Sequence, residues 1–100
     1  MLNTHDRRVV AFHDLHASGC FVMPNPWDIG SAKALQALGF KALATTSAGF
    51  AWTLGRADNR VSLDEALEHL RQIAAAVEVP AALMNVRLLV LFIYLSARNT

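Results

Sequence analysis

Five small or hydroxyl-bearing residues, Thr45-Thr46-Ser47-Ala48-Gly49, follow the apolar Ala42-Leu43-Ala44, and a carboxylate, Asp58, stands nine residues beyond Gly49. A short buried strand opening into hydroxyls, backbone N–H groups and an acid is how α/β enzymes build an anion or metal site at a strand's C-terminal end. Taken alone, the turn also suits an ordinary strand-to-loop connection, and Asp58 a solvated loop acid. Upstream, Pro24-Asn25-Pro26-Trp27-Asp28 is a second loop of the same kind. There Asp28 suits a helix cap better than a ligand, and Trp27 is a core anchor or a pocket wall. His13 and His16 have the spacing of a metal pair, but no further ligand lies near them in sequence, so a surface or half-buried role is expected. His69, beside Glu68, reads as part of a solvated helix face. Ser47 lacks the strained elbow of a Ser–His–acid hydrolase, and no glycine-rich phosphate signature is present.

The elements that must position these groups follow from periodicity. Residues 4–18 read as a helix, with Val9, Phe12, Leu15 and His16 at helical spacing and Gly19 as the stop. Cys20-Phe21-Val22-Met23 is too short for a helix and reads as a buried strand closed by Pro24. A helix is expected from Ile29 to Leu38, with Ile29, Ala32, Leu35 and Leu38 on one face and Gly39 at its end. Phe40–Thr45 repeats the strand, and Ser47–Asn59 reads as a long small-residue connection. Ser62-Leu63-Asp64-Glu65 is a capping box that opens a helix to about Val77, with Leu63, Ala66, Leu67, Leu70, Ile73, Ala74 and Val77 on one stripe. A third strand is expected from about Ala81. Strands alternating with helices imply an α/β chain with a parallel sheet, and both loops fall on its functional end.

The 100 residues suffice for one domain, read here as residues 1–100. Nine basic against eight acidic residues give no field favouring nucleic acid. One cysteine, Cys20, excludes an internal disulfide framework and fits a reducing compartment. The polar start reads as no signal peptide, and the longest apolar run, Leu88–Leu95, is eight residues against the roughly 20 that a spanning helix needs. A cytoplasmic protein with no membrane partner is the expectation. The tail from Met84 to Ala97 suits an all-round apolar helix or an extended strand; its length of about fourteen residues favours the helix.

Three linked segments, Phe-Val-Met-Pro-Asn-Pro-Trp-Asp-Ile-Gly-Ser-Ala (21–32), Ala-Leu-Ala-Thr-Thr-Ser-Ala-Gly (42–49) and Leu-Gly-Arg-Ala-Asp (54–58), resemble the isocitrate lyase/phosphoenolpyruvate mutase family, most closely its phosphonomutase-like members. The resemblance runs in order through residues 8–80. It implies the first three βα units of a (β/α)₈ TIM-type barrel with a Mg²⁺-dependent site at its C-terminal face. The implied reaction cleaves or forms a C–C bond, or rearranges a C–P bond, in small 2-oxo or 2-hydroxy acids through an enolate. By the resemblance, Ser47, Ala48 and Gly49 bind the oxygens of the carboxylic-acid substrate. Thr45 and Trp27 complete the substrate-binding set that the resemblance implies, Thr45 at a position where relatives often carry an aromatic residue and Trp27 shaping the first loop. Asp58 matches the acid that holds the metal's water shell, a reasonable distance for a cation that keeps its waters.

Beyond Pro80 the resemblance ends. The family continues into an Asp-rich strand end that supplies its main metal carboxylates, whereas no Asp or Glu follows Glu78 here. Residues 81–100 therefore read as a divergent apolar tail, produced by truncation or a shifted frame, and no catalytic residue is assigned. The expectation is a chain with impaired turnover. The alternative is a small non-catalytic α/β module that self-associates, as a homo-oligomer, through Leu88–Leu95.

Overall fold

Two parallel strands joined through a pair of helices form the centre of the structure, a computed structural model that describes residues 4–85 and 90–93. In chain order the elements are α1 (Thr4–Leu15), α2 (Ile29–Ala37), β1 (Leu43–Thr46), α3 (Ser47–Thr53), α4 (Leu63–Ala76), β2 (Ala81–Asn85) and β3 (Val90–Ile93). The sheet order is β1-β2-β3, with Leu43 opposite Ala81 in the parallel pair and Ala82 opposite Ile93 in the antiparallel one.

The helix expectations hold, with local corrections. Asp28 caps α2: its carboxylate accepts from the Ser31 N–H at 2.7 Å, and the Ser31 hydroxyl accepts from the Asp28 N–H at 3.1 Å. Ser62 and Glu65 form the expected capping box on α4. The stripe on α4 buries Leu70, Ile73 and Ala74, which meet Ala32, Leu43, Val77, Ala81 and Leu83 in one core. Each such Leu or Ile contributes roughly 1.5–3 kcal/mol by leaving water. Leu63, Ile29 and Leu38, assigned from spacing to the buried faces, are exposed. All three lie at helix ends.

Four long-range hydrogen bonds close the far end of α4, where the last carbonyls lack helical partners. Arg8 on α1, itself buried, donates from Nη1 to the Ala74 carbonyl at 2.8 Å and from Nη2 to that of Val77. On α2, Gln36 Oε1 accepts from the N–H groups of Glu78 and Val79.

Three expectations are overturned. Cys20–Met23 is not a strand, and Val22 is 67% exposed. Only one backbone bond, from the Ala44 N–H to the Pro24 carbonyl at 3.0 Å, ties this stretch to β1, and its closing prolines have no N–H to return. Ser47–Asn59 is not irregular throughout, because Ser47–Thr53 forms α3 under a Thr46 cap. Residues 90–93 of the tail form a strand, not a helix. Its residues Val90, Leu91, Phe92 and Ile93 are strong strand formers, and pairing satisfies the backbone of β2. The remainder of the expected tail helix, 86–89 and 94–97, lies outside the described residues.

Candidate functional site

The sequence places Thr45 and Ser47 two residues apart, and the fold separates their surroundings. Thr45 is buried on β1, its hydroxyl donating towards the Ala82 carbonyl at 3.5 Å. Ser47 and Ala48, half-buried, open α3 directly at the end of β1. Gly49 is the third residue of that helix, and its N–H already donates to Thr46 Oγ1 at 3.1 Å. That cap leaves the Ser47 hydroxyl and the first two N–H groups as the polar atoms of this turn without a helical partner. A methyl on Gly49 would stand 2.7 Å from Thr46 Cγ2 and 3.2 Å from Trp27 Cβ. The absent side chain is thus what lets the first loop lie against the second.

That first loop is stitched to β1 from outside the ladder. The Asn25 side-chain amide donates to the Ala44 carbonyl at 2.8 Å, and Pro26 is fully buried. Trp27 follows with its side chain half exposed. Its carbonyl receives a hydrogen bond from His69 Nε2 at 2.8 Å, and the His69 ring stacks on Phe50, centroids 3.8 Å apart and 12° from parallel. His69 is therefore buried, which corrects its reading as a solvated face residue. Burial pulls its pKa down, while the Trp27 carbonyl and the Asp28 carboxylate oppose the shift. A cavity of about 410 Å³ lies between the loop and the helices, lined by Trp27, Asp28, Phe50, Thr53, His69 and Ile73. His69 lies three residues after Ala66 and four before Ile73, so the spacing that marks the α4 stripe also marks it. Phe50 carried no such signal, because the helix that positions it was not expected.

Asp58 sits apart, on an exposed loop where its Oδ1 accepts the N–H of Asn59 at 2.9 Å, and Asn59 adopts φ 72°. Gly55, at φ 73°, ends α3, and Arg56 pairs with Glu65 at 2.9 Å, which fixes the near end of the loop to α4. Among the described residues no hydrogen bond joins Asp58 to Ser47–Gly49, and no group of three His, Cys, Asp or Glu side chains could hold a metal ion. The donor set does not fit an inner sphere of Mg²⁺, which wants near-octahedral oxygen ligands. Asp58 is a single exposed carboxylate outside any such group. His13 and His16 belong to no such group; His16 Nδ1 lies 2.7 Å from the Phe12 carbonyl, and its ring packs between Phe12 and Phe21. No helix among the described residues is long and apolar enough to cross a membrane.

Comparison with known proteins covers this same region. Residues 12–83 match the family profile described as phosphoenolpyruvate phosphomutase. Two uncharacterised proteins of Mycobacterium tuberculosis, from strains CDC 1551 and H37Rv, are each 50% identical over 50 residues, 49% of this chain and 19% of theirs. Among solved structures, a protein of Burkholderia cenocepacia J2315 described as a lyase/mutase aligns with a TM-score of 0.79 and 43% identity, over 81% of this chain and 30% of that one. A second protein of that organism, described as a phosphonomutase, gives 0.69 and 29% identity over 77% and 32%. At 24% identity and a TM-score of 0.66, 2,3-dimethylmalate lyase, a member of the phosphoenolpyruvate mutase/isocitrate lyase superfamily, shares the fold over 83% and 30%. The chain spans about one fifth of the curated relatives' length and under a third of these structures.

Proposed function

Because the chain belongs to the phosphoenolpyruvate phosphomutase family, we propose that it carries the substrate-oxygen side of a site for a small 2-oxo or 2-hydroxy acid. The observation that carries the reading is the junction of two loops within the matched region, where Gly49 lets the Trp27 loop meet the Ser47–Gly49 turn. Ser47 contributes a hydroxyl and, with Ala48, backbone donors for a carboxylate or oxo oxygen, while Gly49 supplies closeness instead of a hydrogen bond. Preorganised donors of this kind stabilise negative charge as it develops on oxygen. For the whole protein the reaction class is cleavage or formation of a C–C bond, or rearrangement of a C–P bond, with an enolate as the species to be stabilised. On this reading α2, β1, α3, α4 and β2 are part of a (β/α)₈ barrel, whose loops at the strands' C-terminal ends hold the site. Mg²⁺ would come with ligands other than those described, and Asp58 would touch its water shell. Calorimetric titration with oxalate, a planar dicarboxylate, tests the reading with and without Mg²⁺. Saturable heat that falls in Ser47→Ala supports it; no heat from the unaltered chain under either condition overturns it.

The sheet itself favours one second reading. Among the described residues β3 is one of the sheet's two edge strands, β1 being the other, and apolar edge strands pair readily with another chain. Self-association through Leu88–Leu95 would appear as a concentration-dependent dimer in sedimentation, lost in Leu91→Asp.

A further inference from the structure

His69 is a buried, titratable side chain for which the substrate-oxygen reading has no use, yet it touches both loops of the candidate site. From α4 its Nε2 reaches the Trp27 carbonyl at 2.8 Å, and its ring lies flat on Phe50, the residue after Gly49. A carbonyl only accepts, so Nε2 carries the proton and the neutral ring is the Nε2–H tautomer. One imidazole thereby fixes the first loop by a directed hydrogen bond and α3 by a stacked face. Trp27 and Gly49 adjoin these two contacts and lie close together: a methyl on Gly49 would stand 3.2 Å from Trp27 Cβ.

We propose that His69 is a positioning residue that sets the spacing between the Trp27 loop and the Ser47–Gly49 turn, and so the affinity of the site for a small carboxylate. The affinity consequence rests on the proposed function; the spacing does not. Protonation is the natural perturbation, because it places a charge between Phe50 and the loop. The groups facing His69 define how it titrates. Asp28, at the start of α2, is the acid on the loop side, and α3 (Ser47–Thr53) carries no ionisable side chain. On its own helix Asp64, Glu65 and Glu68 line the adjoining cavity with it.

The test uses Trp52→Phe as background, since Trp52 is exposed and its removal leaves Trp27 as the one indole. In that chain Trp27 emission should move to the red, and its anisotropy fall, as His69 becomes protonated. His69→Phe keeps a ring for Phe50 but no donor; it should show the shifted emission at neutral pH and lose the pH-dependent change. His69→Gln keeps a donor without the ring and should restore most of the neutral-pH emission, again without titration. Oxalate affinity should fall about tenfold in His69→Phe, the order expected for one hydrogen bond lost from a buried group, and about threefold or less in His69→Gln. Unchanged Trp27 emission with an unchanged pH profile in folded His69→Phe would overturn the proposal. Nitrogen-15 spectra of the unsubstituted imidazole decide it without any variant, where an Nδ1–H tautomer at neutral pH overturns it. If oxalate binds none of these chains, the substrate reading fails, while the emission and tautomer data still judge the positioning role.

Discussion

Replacing Gly49 with alanine tests the junction of the two loops where it is tightest. Gly49 has no left-handed φ, so the added methyl meets no backbone penalty and by helix propensity alone would stabilise α3 by up to about 1 kcal/mol. Against that stands the methyl itself, 2.7 Å from Thr46 Cγ2, 3.3 Å from Thr46 Oγ1 and 3.2 Å from Trp27 Cβ. Neither neighbour is the far end of a flexible side chain. Thr46 is β-branched and held by its cap on the Gly49 N–H, and Trp27 Cβ moves only with its loop. Shifting Thr46 forfeits a cap contribution of about 1 kcal/mol, and overpacking adds roughly 1–3 kcal/mol. The net expectation for Gly49→Ala is a loss of about 2 kcal/mol, or on the order of 10 °C in melting temperature for a chain of this size. Thermal and urea unfolding followed by circular dichroism measure it. Adding Thr46→Ser removes Cγ2 and keeps the cap oxygen, and should recover about 1 kcal/mol. A Gly49→Ala chain as stable as the parent, or more so, would show that helix propensity wins and that the loops are not in the contact described.

Other expectations follow from the same geometry. Leu70→Ala empties a fully buried position in the core and should lose about 3 kcal/mol in urea unfolding. Ser62→Ala removes the acceptor for the Glu65 N–H and should cost about 1 kcal/mol. Because burial lowers the folded pKa of His69 below 6.5, the unfolded chain binds more protons in that window. Stability should be full above pH 6.5 and fall as the pH drops towards the folded value, a slope that His69→Gln abolishes. Glu68, held near pKa 2 chiefly by Arg71, and the depressed Asp28 and Glu65 lose their own contributions only as the pH falls through 4.5 and below, so the difference between the parent and His69→Gln above that range reports His69. Asp58→Ala, on an exposed loop, should leave stability within about 0.5 kcal/mol while weakening any Mg²⁺-assisted oxalate binding.

Caps and stripes made most of the fold legible. Asp28 and Ser62 with their partners three residues on, and the run Ala66–Leu70–Ile73–Val77, determine α2 and α4 through local chemistry. Cys20–Met23 misled because a strand needs a partner on its flank as well as the right residues, and only Pro24 finds one. The tail misled for the opposite reason: its β-branched and aromatic content mattered more than its length once β2 offered an edge. At the site, Ser47, Ala48 and Gly49 stand at the strand end where spacing put them. Their division of labour, with Gly49 giving space and a capped N–H, depends on a helix hidden in a small-residue stretch. His69 was visible on the stripe but read by its polar neighbour Glu68. Only the fold shows that its partners are Trp27 and Phe50, 42 and 19 residues away.

The central claim is that the turn after β1, together with the Trp27 loop, binds a small carboxylate. Amide chemical-shift mapping of the nitrogen-15-labelled chain during an oxalate titration, with Mg²⁺ present, tests it most directly. Saturable shifts centred on Ser47, Ala48 and Trp27, sharing one dissociation constant, are predicted. Shifts confined to the cavity lined by Arg7, Arg8 and Glu78 near the C-terminal end of α4, or none at all, would contradict it.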